Sequence, residues 1–435
     1  MDRPSNFNVS AKATSASVTA DDRSVRLGPS LSGTNLERAG DYNQRVVMQI
    51  IRRNPDITRN EIAAMTSLAS ATICNIVARL METDLVIESG QRLGGLGQPA
   101  MRLRINPKGG YGIGLSIDGD HVTMVSLDLA GTVRSRSTRR LAFASPNDVV
   151  RFVEEGIARI KRADAIGFDR VLGMGVALPE HPERDDPSHR SPGYQDWSHV
   201  DIRTMLASIV PWPTHIDENV AAAAIGEAHF GDGQDYASFF YIFVGAELGG
   251  GMVINGTYHR GANVRSGGLG CLPLGTNPTE VLRDVVSSSA FSNRLQAAGL
   301  DVALLNTMRA LPAQYASHVA EWLQDASDSL VPALAAVNCL LNPAVVLIAG
   351  RLPVDILDRL AAAVHSKFVA AVPDRATAAP IARARLSYDA PAIGAATLPL
   401  LDRILPSDAI LIKRRTSAQR PLLDAISVPL KNADS

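Results

Sequence analysis

The chain has 435 residues, enough for about two or three domains, and is 46% hydrophobic and 20% charged, an ordinary globular mix. A formal net charge of −1 excludes the global basic field that announces nucleic acid, and the lack of any 18-residue apolar run excludes a helical membrane span. Three scattered cysteines (Cys74, Cys271, Cys339) exclude a disulfide framework and fit a reducing cytoplasm.

Residues 1–40 are polar throughout and lack the apolar core of a signal peptide. They read as a disordered lead-in. Residues 41–108 form a unit with a charge of their own: nine basic residues against six acidic ones, hence +3. Val46, Val47, Ile50 and Ile51 share one face of a first helix. Thr58 to Glu61, "TRNE", is a capping box that opens a second helix, with Ile62 and Met65 turned inward. Ile73, Ile76, Val77 and Leu80 then give the buried stripe of a third helix. Ser70, Ala71, Thr72, Asn75 and Arg79 lie off that stripe, and Cys74 is expected to pack beside it.

"LVIES" followed by "GQRLGGLGQPAMRLRIN" predicts strand, glycine-rich loop, strand: a wing carrying Arg92, Gln98, Arg102 and Arg104. Helix, helix, short turn, small polar helix and wing together predict a winged helix-turn-helix that reads double-stranded DNA. Ser, Thr and Asn reach base edges, while arginines reach phosphates or a narrow minor groove. The competing reading is a small helical oligomerisation domain with an exposed polar helix.

From Gly112 the pattern changes. "YGIGLSIDGDHVTMVSLDLAGTVRSRSTRRL" predicts three strands joined by turns, followed by a helix over 147–162 and a strand over 171–180. The theme recurs: two strands around a glycine-rich turn at 236–256, a long helical region at 314–341, and a buried strand at 342–352 that opens into a helix. This repetition predicts two related α/β lobes facing each other across a cleft. Gly119, Gly245 and Gly350 fall at strand carboxyl ends, where such sheets bind ligands. Trp197 reads as a packing anchor rather than a sugar platform.

The winged segment with "GGLGQPA", then "GMGVALP", "DENVAAAAIGE", "VGAELGGGMVINGTYHRG", "SGGLGCLPL", "NPAVVLIAGRL" and "AIGAATLPLLDR", occur in one order. On these the chain resembles a ROK-family transcriptional regulator over residues 41 to about 403, the repressor branch of a group that also contains sugar kinases. The resemblance implies a two-lobed actin-like ATPase fold over 109–403, usually a homodimer or homotetramer. It leaves 404–435 as a C-terminal extension whose "KRR" reads as a solvated charge cluster.

The departures from the kinase pattern are chemical. The family's kinases place a general-base aspartate where aligning "AAAxGE" puts Asn219, and an amide accepts no proton near neutral pH. Asp217 and Glu218 fall two and one positions early, which re-aims their side chains. "DGDH" stands where the kinases have D-x-G-G-T, and "GAELGGG" puts Glu247 in a phosphate-cradling glycine loop. The triple glycine reads better as a tight hairpin with positive φ. "GGLGC" replaces the family's G-E-I-G-H and its cysteine cluster is absent, so no metal or zinc cofactor is expected.

The resulting expectation is a cytoplasmic DNA-binding transcriptional regulator of carbohydrate metabolism, a repressor, with an operator as partner and no membrane association. Its effector would be a sugar or sugar phosphate held in a catalytically silent cleft by Glu218, Asn219, Glu227 and Arg265. Glu227 could equally cap or pair within its own helix. The rivals are a hexose kinase with a fused DNA-binding module, and a DNA-binding protein with no ligand.

Overall fold

The computed structural model describes residues 35–92, 100–141, 144–179, 197, 200–261, 266–275, 277–307, 310–372 and 377–407. The first module comprises α1 (Leu36–Arg53), β1 (Ile57–Thr58), α2 (Arg59–Thr66), α3 (Ser70–Glu82), β2 (Val86–Arg92) and β3 (Ala100–Ile105), its strands ordered β1-β3-β2. Helix α1 starts inside the segment expected to be disordered, because Asn35 caps it by accepting from the Arg38 N–H at 2.9 Å. The Thr58/Glu61 capping box is present as predicted. The chain bends by 119° between α2 and α3, with Ser67 in the left-handed region at φ 57°. Ile73, Ile76, Val77 and Leu80 are all buried, but Met65 is 59% exposed, contrary to its predicted inward position. Cys74 is also exposed, since the stripe closes without it.

The large part is built twice. The first sheet contains β4 (Tyr111–Ile117), β5 (His121–Asp128), β6 (Val133–Arg140), β7 (Val171–Leu178) and β8 (Thr214–Glu218); α4 (Pro146–Arg162) and α5 (Ile202–Ala207) belong to the same lobe. Helix α6 (Asn219–Phe230) then crosses to the second lobe. That lobe holds β9 (Ser238–Val244), β10 (Leu248–Ile254), β11 (Thr257–Tyr258), the small pair β12 (Pro273–Leu274) and β13 (Asn277–Val281), and α7 (Arg283–Val286). It continues with α8 (Ser288–Ala297), α9 (Ala316–Leu341), β14 (Val346–Gly350), α10 (Val354–Ala371) and β15 (Ile381–Arg383). Helix α11 (Ala390–Arg403) returns to the first lobe.

Among the described residues the two large sheets have five strands each, ordered β6-β5-β4-β7-β8 and β11-β10-β9-β14-β15. In both, the first three strands pair antiparallel and the last two join in parallel. The predicted duplication is therefore real at the level of topology. The predicted positive-φ hairpin at "GGG" is not. Gly249, Gly250 and Gly251 lie within β10, where an added Cβ would strike Val220, Leu269 and Tyr258. They are small because side chains press on them.

Helix α6 is buried along its whole length, which fits its run of small and apolar residues from Val220 to Ile225. It crosses α11 at near backbone contact: a Cβ on Gly394 would lie 1.7 Å from the Ala222 carbonyl oxygen. A Cβ on Gly175 of β7 would lie 1.8 Å from the Ala395 oxygen, so α11 also lies directly on the first sheet. The small-residue motifs are thus packing devices at the centre of the molecule.

The winged module is fastened to this centre. One apolar cluster joins Val47, Ile51 and Leu103 of the module to Leu127, Phe230, Ile393 and Leu400 of the lobes, and also takes in Ile404 and Leu405. Those last two residues therefore belong to the core, not to an extension beginning at 404. Arg45 of α1 is fully buried; its Nη1 donates to the carbonyls of Leu401 at 3.2 Å, Asp402 at 2.9 Å and Leu405 at 3.4 Å. It also pairs with Asp41 at 3.0 Å. Arg52 lies 4.6 Å over the Phe230 ring, and burial beside Arg53 lowers its pKa to about 10. Arg53 donates to the Gln234 carbonyl. Burial, with Arg52 and Arg53 nearby, pushes His229 down to about 3, so its ring stays neutral. Three of the module's basic residues thus face the lobes. No single helix among the described residues is long and apolar enough to cross a membrane.

Arg45→Met should weaken this junction by about 3 kcal/mol, because it strands buried carbonyl acceptors without their donor. Hydrogen exchange checks it. Protection should fall in α1 and the end of α11 while β9 and β14 keep theirs.

Candidate functional site

Two sites emerge, one on the module and one between the lobes. On α3, Ser70, Ala71, Thr72, Asn75 and Arg79 are all exposed on the side away from the buried stripe. Ala69 at the helix start supplies no side-chain cap, which leaves the first-turn N–H groups without a capping side chain. This is the geometry a recognition helix needs: short polar groups forward, an apolar face behind.

The wing is an antiparallel β2–β3 pair in which Arg92 is in register with Ala100. The Arg92 side chain and all of Gln98 lie outside the described residues. Arg102 is half-buried, in register with Thr58 and Gly90. Arg104 is held by Asp56 in a two-bond contact of 2.6 and 2.5 Å, and Ser89 donates to the same carboxylate at 2.6 Å. These hydrogen bonds, Arg104's first, draw the Asp56 pKa down to about 2. Arg104 is therefore an anchor of the wing base.

Between the lobes, Asn219 opens α6 at the carboxyl end of β8 and is 9% exposed. Its Nδ2 donates to the Ile117 carbonyl at 3.0 Å, and its Oδ1 accepts from Ser116 Oγ at 3.2 Å. The site suits an amide: a carboxylate there would face a carbonyl oxygen. Glu218 immediately precedes it, half-buried. Asp217 is committed elsewhere, accepting 2.7 and 2.5 Å bonds from Arg260 across the lobes. The "DGDH" turn follows β4, and its Asp118 faces the turn after β9: a Cβ on Gly245 would lie 3.5 Å from Asp118 Oδ2. Glu247 in that turn is exposed and 3.6 Å from Arg283.

Two expected ligand contacts change status. Glu227 is fully buried, and its carboxylate accepts backbone N–H bonds from Asp232 at 2.8 Å, Arg385 at 3.0 Å and Leu386 at 2.9 Å. Those bonds make it a clamp between α6 and the segment after β15, so it is corrected from a ligand contact to a structural one. Arg265 lies outside the described residues. Trp197 donates to the Ala144 carbonyl at 2.9 Å and packs on the first lobe, as an anchor should.

Sequence reasoning missed Ser116, Arg260, Tyr388 and Arg351. Arg351 was the detectable one: a lone charge directly after an apolar strand whose carboxyl end was already a predicted ligand position. It is 5% exposed and sits 4.1 Å over the Tyr388 ring. Among the described residues, Asp118, Asp120 and His121 bring ligand atoms within 4.8 Å of one another, a spacing that could hold a cation. The nearby positive charge of Arg351 acts against one.

The family model described as "ROK family" matches residues 112–400, and that described as "Winged helix-turn-helix DNA-binding" matches residues 41–87. An uncharacterized protein of Sinorhizobium fredii is 28% identical over 362 residues, covering 82% of this chain and 90% of its own length. The xylose repressor of Bacillus subtilis is 25% identical over 239 residues, 54% of this chain and 61% of the repressor. A crystal structure of a ROK family transcriptional regulator, a homologue of the Escherichia coli MLC protein, superposes with a TM-score of 0.61 at 20% identity. It covers 83% of this chain and 97% of its own, and so supports the two-part fold.

Asn75→Ala and Arg79→Met should each weaken binding to a DNA site selected from a random pool by about 1–3 kcal/mol. Arg104→Met should leave base preference unchanged. Fluorescence anisotropy at one fixed salt concentration distinguishes them.

Proposed function

The chain belongs to the ROK family, and from that premise we propose that it is a transcription regulator of carbohydrate genes, a repressor whose cleft binds a sugar or sugar derivative without phosphorylating it. The observation that supports the reading is the Asn219 amide, bonded on both sides, at the position that the motif resemblance matches to the kinases' general base. Glu247 in the second glycine turn adds to it, since a carboxylate there repels nucleotide phosphates. Asn219 and Glu218 are the hydroxyl contacts. No zinc is needed: Cys271 Sγ lies 3.9 Å from the Arg283 guanidinium, a cationic setting that opposes a metal.

The signal travels as a population shift. Ligand binding favours one lobe closure, and α11 carries the difference to the winged module. At its start, Asp389 accepts bonds from Arg136 at 2.6 and 3.0 Å, next to Tyr388 and Arg351 in the cleft. At its end, its carbonyls hold Arg45. In a homodimer or homotetramer, a shift of this helix resets the separation of two recognition helices and hence the affinity for a two-fold operator. A ligand acts to the extent that its affinities for the two states differ, typically by about 1–3 kcal/mol.

Incubated with ATP and a panel of aldoses, the full chain should form no sugar phosphate in a coupled assay. Asn219→Asp should also be silent and less stable, because its carboxylate meets the Ile117 carbonyl. Turnover by the natural chain would establish a kinase instead.

A further inference from the structure

A second cavity lies away from the cleft, where the winged module meets the second lobe. Its volume is about 890 Å³, within the range of about 300–1,000 Å³ typical of small-molecule sites. Helix α1 contributes Tyr42, Val46 and Ile50 to its wall, α2 contributes Met65, and the entry to β9 contributes Tyr236. The exposure of Met65 and Tyr236, 59% and 37%, is thus apolar surface on the wall of a cavity. Near the end of α6, His229 also lines it. His229 is 6% exposed; neither ring nitrogen has a hydrogen-bond partner among the described residues, and Nδ1 is fully buried. A buried polar atom of this kind costs stability unless a partner fills the place of water. His229 comes ten residues after Asn219 on the same helix, about 15 Å along its axis, so cavity and cleft lie at opposite ends of α6.

We propose that this junction cavity is a second ligand site, which takes an uncharged ring compound whose hydroxyl bonds to the His229 imidazole and whose ring packs on Tyr42, Ile50 and Met65. The site goes beyond the sugar-sensing reading and does not depend on it. Charge selects the ligand class. The charged side chains on the lining are Arg53, Asp235 and Arg260. Arg260 is matched by Asp217, which accepts from it at 2.7 and 2.5 Å. Arg53 and Asp235 then balance each other, so the wall offers no net charge to an acid or a base. Burial, and then Arg52 and Arg53, oppose protonation of His229, so its ring cannot ion-pair with a carboxylate. A neutral imidazole has one donor and one acceptor nitrogen, and a hydroxyl can serve either. Aromatic rings and a methionine thioether on the apolar side suit a ring. Because module and body both build the wall, an occupant adds contacts across the junction that Arg45 fastens.

The test is fluorescence titration of 2-naphthol and 2-naphthoate with the full natural chain, His229→Leu and Ala237→Trp, with thermal unfolding of each protein. Ala237 is exposed on the cavity wall, so a tryptophan there narrows the space without entering the core. The expected result is saturable binding of 2-naphthol to the natural chain, tighter than that of 2-naphthoate, with a rise in unfolding temperature. His229→Leu should bind 2-naphthol about tenfold more weakly. Without ligand it should unfold no earlier than the natural chain, because an unsatisfied polar ring gives way to an apolar side chain. Ala237→Trp should lose the binding and keep the unfolding temperature. If all three proteins bind 2-naphthol alike, or none binds it saturably, the site is overturned. If 2-naphthoate binds more tightly than 2-naphthol, the uncharged ligand class is overturned. If His229→Leu unfolds earlier yet binds 2-naphthol as tightly as the natural chain, His229 is structural and its ligand role is overturned. None of these outcomes touches the cleft, so the sugar-sensing reading stands or falls separately.

Discussion

A buried guanidinium at the junction of two domains constrains everything else in this molecule. Arg45 lies in the first helix of the winged module, yet its partners are carbonyl oxygens at the end of the last helix of the lobes. A helix end leaves such carbonyls without internal partners, and a cation there also meets the negative end of the helix dipole. Removing either side would leave the other buried and unsatisfied. The reader of DNA and the two-lobed body are therefore held as one unit, with apolar packing from Val47 to Leu400 filling the joint.

That joint explains why α11 is the informative helix. It spans about 21 Å at 1.5 Å per residue, lies on β4 and β7, and crosses α6 at backbone contact. Close-packed interfaces of this kind have discrete arrangements and resist continuous deformation. Because α6 begins at Asn219 and α11 begins beside Tyr388, both helices start in the cleft and end near the module. The Arg260–Asp217 pair adds a polar strap between the lobes on the same side as Asn219.

Much of this was legible in the residues. The stripe of α3, the Thr58/Glu61 box and the duplicated strand pattern follow from periodicities of 3.6 and 2, which local sequence expresses directly. Asn219 was legible because its motif has a fixed length. What was not legible depended on long-range contact. Nothing local says that Arg45 and Arg52 face inward, that Glu227 meets three backbone N–H groups more than a hundred residues away in part, or that Met65 stays outside. The triple glycine of β10 misled for the same reason: its cause is pressure from Val220, Leu269 and Tyr258, and not a turn. Helix α1 extended past its expected start because one cap, Asn35, outweighed a polar composition.

The central claim is that cleft and operator site share one free energy of coupling. The most direct measurement is the affinity of the full chain for the proposed sugar ligand, determined with and without a saturating DNA site. The account predicts two different affinities, whose ratio equals the change that saturating ligand makes in DNA affinity. Identical sugar affinities in both conditions would contradict it.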